Sequence, residues 1–109
     1  MEKQDIFNIE DIRKSFFNQK VNWTTHCLNR MNQRNIKICD INHILQSGTI
    51  IEYYYEDYPY PSCLILGKNI DNKEVHIVCG IHDEWLYMIT AYYPHIDKWE
   101  RNMKDRRKF

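Results

Sequence analysis

The sequence predicts an α+β domain in which N-terminal helices pack on a four-stranded antiparallel sheet and a short helix closes the C-terminus. Three observations carry this expectation. The first part of the chain spaces its apolar residues three and four apart, as in Ile9, Ile12 and Phe16 or Cys27 and Met31, which is the spacing of one helix face. From Thr49 onward the apolar residues come instead in runs of Ile, Val, Tyr and Thr, bounded by Pro, Gly, Asn and Asp. The connections between those runs are short enough to join antiparallel neighbours, and helices that precede strands in this way cover one face of the sheet.

Asn8 is placed to cap the first helix, with Glu10 and Asp11 at the positive end of its dipole. Ile9, Ile12, Phe16 and Phe17 form its apolar stripe, and it should end near Asn18. Val21-Asn22-Trp23 reads as a short connection. Thr24 or Thr25 then starts a second helix whose inner face is Trp23, Cys27, Leu28 and Met31; Asn35 is its left-handed terminator, and Ile36 returns to the core. A third helix from about Asp40 to Ser47 buries Ile41, Ile44 and Leu45 and stops at Gly48.

Strands follow at Thr49–Tyr55, Cys63–Gly67, Val75–Gly80 and Trp85–Tyr92. Between the first two, Pro59 and Pro61 each fix their own φ and stiffen the loop, which holds Tyr58 and Tyr60 outward. Asp71-Asn72 makes a turn. Val75, Ile77 and Cys79 alternate with His76 and Val78, so His76 faces away from the valine-isoleucine set. Pro94, with no N–H to donate, ends the sheet, and Asp97 with Glu100 fits a capping box for a short basic helix around Trp99. The sheet face opposite the helices must be covered by something else.

A chain of 109 residues has room for one core and one domain, 1–109. Its 15 basic and 15 acidic residues cancel, so net charge alone argues for no partner, but the charges are uneven. The segment His26–Lys37 holds Arg30, Arg34 and Lys37 with no acid, and the tail RNMKDRRKF sets five basic residues against Asp105. Two basic surfaces on a neutral protein suit an anionic ligand or a solvated face. Cys27, Cys39, Cys63 and Cys79 are dispersed, with no Cys-x-x-Cys spacing, and read as small buried apolar residues. The N-terminal apolar residues are interleaved with charge, and no apolar run approaches the ~20 residues of a membrane span, so the expected location is cytoplasmic with no membrane partner. His43, His82 and His95 have no metal-ligand spacing, and three glycines with no phosphate loop argue against a nucleotide cofactor. No cofactor or metal is expected.

Several residues could carry chemistry. His26, Arg30 and Arg34 fall within about 80° on the second helix, which sets one imidazole and two guanidiniums along one edge. Histidine can move a proton near neutral pH and arginine can hold a phosphorane, so the line suits phosphodiester cleavage; a solvated helix face is the plain alternative. Tyr58 and Tyr60, with Ser62 beside them, offer aromatic faces of the kind that stack single-stranded RNA bases. His76 lies on the sheet face left uncovered by helices, as a catalytic group or as a buried, partnered one, and Tyr92 at the end of the last strand is open to the same two readings.

With these residues in place, the chain resembles a widespread bacterial family of small uncharacterised domains found beside zinc-ribbon antitoxins and grouped with the RelE-like toxin ribonucleases. The resemblance runs from Ile9 to Arg107. It rests on His26-x-x-x-Arg30-Met31-x-x-Arg34-x-Ile36, on Ile51-Glu52, on Asp57-x-Pro59-Tyr60-Pro61-Ser62 with Leu64 and Leu66-Gly67, on His76, on Thr90-x-Tyr92-x-Pro94, and on Trp99 with the basic end. It implies a RelE-like fold and a toxin that cleaves single-stranded mRNA without metal, held by a zinc-ribbon antitoxin. In that reading His26, Arg30, Arg34, His76 and Tyr92 are catalytic, and Tyr58, Tyr60, Ser62, Trp99 and Arg106 hold RNA. A non-catalytic protein- or RNA-binding module on the same surface is the alternative, and a structural metal protein is a third.

Overall fold

The computed structural model describes residues 7–108. It contains α1 (Ile9–Phe17), β1 (Val21–Trp23), α2 (Thr25–Gln33), α3 (Ile38–Ser47), β2 (Thr49–Tyr54), β3 (Ser62–Lys68), β4 (Glu74–His82) and β5 (Trp85–Tyr92). The mixed α+β expectation holds, with one correction: the sheet has five strands in the order β1-β5-β4-β3-β2 rather than four, and β1 runs parallel to β5. Val21-Asn22-Trp23 was expected to be a connection because three residues are too few for a period of two to show. Its strand identity comes from pairing with Leu86–Met88, more than 60 positions away, and no local pattern reports that.

The helix ends follow from local chemistry. Asn8 Oδ1 accepts from the Asp11 N–H at 2.9 Å while Asp11 returns a carboxylate to the Asn8 N–H at 3.0 Å, a reciprocal cap. Thr24 Oγ1 accepts from the Cys27 N–H at 3.1 Å and donates to Met88 O at 3.0 Å, so the same hydroxyl starts α2 and pins it to β5. Asn35 has φ 55°, the left-handed conformation expected at the end of α2. At α3 the Asp40 carboxylate accepts from the Lys37 N–H at 3.0 Å and from the Ile70 N–H at 3.2 Å.

The core lies between the helices and one sheet face. Ile12, Cys27, Met31, Ile41, Ile44 and Leu45 meet Cys63, Ile65, Val75, Ile77, Cys79, Leu86, Met88 and Ala91 there. Gly67 sets the spacing on the α3 side: a Cβ there would sit 2.4 Å from Ile44 O and 2.7 Å from its Cγ2, so α3 approaches β3 at backbone contact. Three inward expectations fail: Phe17, the last residue of α1, lies past the edge of its buried stripe and is 85% exposed. Leu28 is 41% exposed, and Cys39 is exposed because α3 begins at Ile38 and points it outward.

Two bulges decide what the opposite face displays. Ile50 pairs with Ile65 but Glu52 pairs with Leu64, so Ile51 is an extra residue and the strand phase inverts after it. Glu52 and Tyr54 therefore leave the helix side. On β5, Thr90 pairs with Val78 but Met88 pairs with Cys79, so Ile89 is extra, and Tyr92 is carried to the open face opposite His76.

That open face is covered by the C-terminal segment, where the second correction falls. No helix forms around Trp99. The chain turns through Ile96–Lys98, and Trp99 and Arg106 form an isolated antiparallel bridge. Side chains compete with helical backbone bonds here: His95 Nδ1 lies 3.2 Å from the Asp97 nitrogen as its acceptor, and Asn102 Oδ1 accepts from Lys104 and Asp105 N–H at 2.8 and 3.0 Å. Met103, at φ 56°, ends any helical continuation. Leu64, His76 and Trp99 are buried together away from the helix-side core.

Candidate functional site

His76 is the centre of the covered face. Its side chain is fully buried, and both ring nitrogens are engaged: Nε2 lies 2.7 Å from Met103 O and Nδ1 lies 3.2 Å from Tyr92 Oη. A carbonyl can only accept, so Nε2 carries the proton and Nδ1 receives the Tyr92 hydroxyl hydrogen. Trp99 stands edge-on to the imidazole at 4.5 Å and Tyr92 at 5.2 Å. Burial lowers the His76 pKa below its ordinary value; the Met103 carbonyl and Glu52 oppose the shift, and Arg106 adds to it. The ring is neutral at pH 7. Burial likewise raises the Tyr92 phenol, so Tyr92 keeps its proton.

A charged pair lies beside this dyad. Arg106 donates from Nε to Glu52 Oε2 at 2.8 Å and from Nη2 to Oε1 at 3.0 Å, and its guanidinium lies 4.6 Å from the Trp99 ring centroid. Tyr54 Oη donates to Glu52 Oε1 at 2.7 Å. Burial pushes the Glu52 carboxyl up, but the Arg106 and Tyr54 hydrogen bonds and the Arg106 charge outweigh it, and the pKa falls below the usual value. Burial and the bond to Glu52 push Tyr54 up.

Outside the buried His76 is a cleft of about 510 Å³ whose lining includes Arg34, Tyr92, Tyr93, Lys98, Trp99 and Arg106. Arg34 enters it from the C-terminal end of α2, held by a 2.7 Å bond from Nη1 to Ala91 O. Three cations and two aromatic rings thus surround a phenol hydrogen-bonded to a neutral imidazole. Such a set can bind a polyanion, stack a base and exchange a proton.

Of the residues expected to act, Arg34, His76, Tyr92, Trp99 and Arg106 come together here. His26 and Arg30 are exposed on α2 and do not line the cleft; Arg30 donates to Gln33 Oε1 at 3.1 Å, and His26 lies about 12 Å along the helix axis from Arg34 at 1.5 Å per residue. Tyr58, Tyr60 and Ser62 belong to the far end of the sheet, roughly 20 Å along β4 by the strand rise from His76 to His82. There Tyr60 stacks on His82 at 3.7 Å, and Tyr58, joined to Pro59 by a cis bond, is 90% exposed. Ser62 is buried, donating to Asp57 Oδ2 at 2.6 Å. Glu52 and Tyr54 belong to the site and were not singled out for it from the sequence; Ile51-Glu52 figured only in the resemblance.

Among the described residues, no group of three or more His, Cys, Asp or Glu side chains is placed to hold a metal ion, and no helix is long and apolar enough to cross a membrane. Fold and site define a small α+β domain whose open sheet face carries a histidine-tyrosine pair under a C-terminal cover. The chain belongs to the family described as Domain of unknown function (DUF4258), whose model matches residues 23–93. The match includes Arg34, Glu52, His76 and Tyr92, while Trp99 and Arg106 lie beyond it. No curated protein and no solved structure matches the chain.

Proposed function

We propose that this protein is the toxin of a two-gene toxin-antitoxin pair, RelE-like in fold, that cleaves single-stranded RNA in the cleft without a metal ion. The observation that carries the reading is the 3.2 Å Tyr92–His76 contact in the wall of a cleft also lined by Arg34, Lys98, Arg106 and Trp99. Arg34 and Lys98 take the phosphate, and Trp99 and Tyr93 take bases. Tyr92 accepts the proton of the substrate's 2′-hydroxyl as it passes its own to His76 Nδ1. The 2′-oxygen then bonds to phosphorus, the P–O5′ bond breaks, and the departing oxygen takes a proton from solvent. The upstream product ends in a 2′,3′-cyclic phosphate. His26 and Arg30, on the same helix as Arg34, form an outer track for the strand. A zinc-ribbon antitoxin with an acidic surface would answer Lys98, Arg101 and Lys104.

The test is cleavage of a labelled single-stranded RNA in EDTA. A cyclic phosphate product, and no cut where the 2′-hydroxyl is replaced by hydrogen, are expected. Loss of activity in EDTA would refute the metal-free mechanism. One observation favours a second reading, a binding module without chemistry: His76 has no exposed surface and both its nitrogens are engaged. RNA that binds but stays intact at every pH from 5 to 9 would establish that reading instead.

A further inference from the structure

Tyr92 lines the cleft, but His76 behind it cannot meet a ligand while residues 95–107 lie over it, and the structure shows what holds them there. Within itself the segment is tied by Glu100 N–H to Asp105 O at 2.8 Å, Arg107 N–H to Lys98 O at 2.9 Å, and the Asn102 side chain to Lys104 and Asp105. It can therefore move as a body about the irregular stretch at Tyr93-Pro94 that follows β5. Among the described residues, its polar side-chain ties to the sheet are Met103 O on His76 Nε2 and the Arg106 guanidinium on Glu52. The charged tie is the one that a ligand can contest. A phosphodiester offers Arg106 the same paired oxygens and the same charge as a carboxylate. Arg106 is reachable, with 56% of its side chain exposed, and Arg34 and Lys98 in the adjoining cleft concentrate anions beside it.

We propose that residues 95–107 are a latched strap whose catch is Glu52, and that a phosphodiester strand opens it by drawing Arg106 off Glu52, which lifts Met103 and Trp99 from His76. Glu52 is then a positioning residue that sets how readily the site opens. This inference rests on the nucleic-acid reading of the cleft and adds its regulation.

The probe is a single-stranded oligodeoxynucleotide, which supplies phosphodiesters but no 2′-hydroxyl to react. At saturation with wild-type protein, amide exchange from Trp99 to Arg107 should rise, and the His76 ring should titrate nearer its ordinary ~6.5 as its burial is relieved. Glu52→Gln keeps an acceptor for Tyr54 but removes the charge. Without ligand, this variant should raise strap exchange by about tenfold or more, the usual weight of a charge-assisted hydrogen bond, and tighten oligonucleotide binding. Strap exchange that stays unchanged or slows on saturation, or that is the same in Glu52→Gln as in wild type, overturns the latch. If Glu52→Gln fails to fold, the wild-type titration decides alone. A strap that opens on the oligonucleotide while RNA stays uncut leaves the latch standing and removes the nuclease. RNA cut with the strap still protected does the reverse. An oligonucleotide that does not bind removes both.

Discussion

Replacing Tyr92 by phenylalanine tests the centre of the site with the loss of one oxygen. In the native chain Nε2 of His76 donates to Met103 O at 2.7 Å, so Nδ1 is a lone pair whose described partner is the Tyr92 hydroxyl at 3.2 Å. Tyr92→Phe leaves that buried acceptor unmet, which costs about 1–3 kcal/mol, and the length of the bond for an O–H donor places the value in the lower half, ~1–2 kcal/mol. For a domain near 100 residues, 1 kcal/mol corresponds to about 4–8 °C, so Tm should fall by roughly 5–15 °C. Urea unfolding at pH 7.5 in a double-mutant cycle isolates the contact. Against a His76→Leu background, where no lone pair remains, the same Tyr92→Phe change should cost close to nothing. RNA cleavage should drop by roughly 10²-fold with the fold intact, the usual weight of a general acid-base group. Equal costs of Tyr92→Phe in both backgrounds, or ¹⁵N spectra that put the ring proton on Nδ1, would refute the reasoning.

Acid should weaken the fold in two steps. The unfolded chain takes up a proton at His76 near ~6.5 that the native, depressed imidazole refuses, so this contribution is present above ~6.5 and lost as pH falls below it; Glu52, also depressed, adds a loss below ~4.5. Urea midpoints across pH 8 to 3.5 should show both limbs, and His76→Leu should remove the upper one only. Arg34→Ala should weaken RNA binding and reduce its dependence on log salt by about one unit, whereas His26→Ala and Arg30→Ala should weaken binding a few-fold without altering the cleavage step; a ~10²-fold loss of rate in either would move the chemistry onto the α2 edge. Native protein should react at one thiol, Cys39, with an alkylating reagent, because Cys27, Cys63 and Cys79 are buried and burial raises Cys27 to about 11. Mass spectrometry that finds a second modified cysteine in folded protein would contradict this.

What the sequence displayed was the set of features that local rules govern. Asn8, Thr24 and Asn35 mark helix boundaries through bonds or a backbone angle made within four residues, Gly48 by the 2.5 Å that a Cβ would leave to Ile44 O, and all four stand at or beside a helix end. Val75, Ile77 and Cys79 alternate over a regular stretch of β4, so His76 was placed on the correct face by parity alone. β1 lay outside that reach because its identity depends on β5. The C-terminal helix failed because Asp97 and Glu100 fit a cap only if the residues after them are free to continue, and Asn102 instead turns the chain back on itself.

The site was legible to the same extent and stopped for the same reason. Parity gave His76, helical phase gave Arg34, the end of the last strand gave Tyr92, and the resemblance added Trp99 and Arg106, yet no spacing in the chain says that five segments converge. Glu52 shows why. Two residues after the core-facing Ile50, it should by simple alternation face the helices, where an ionised carboxylate would be costly. The extra residue at Ile51 removes the conflict by inverting the strand, and Ile89 does the same for Tyr92 on β5. A carboxylate at a position of core parity is therefore itself a sequence signal, since the chain must either bulge or bury a charge. The bulge it forces is what presents Glu52 to Arg106, so the residue that parity places worst is the one on which the cover of His76 is fastened.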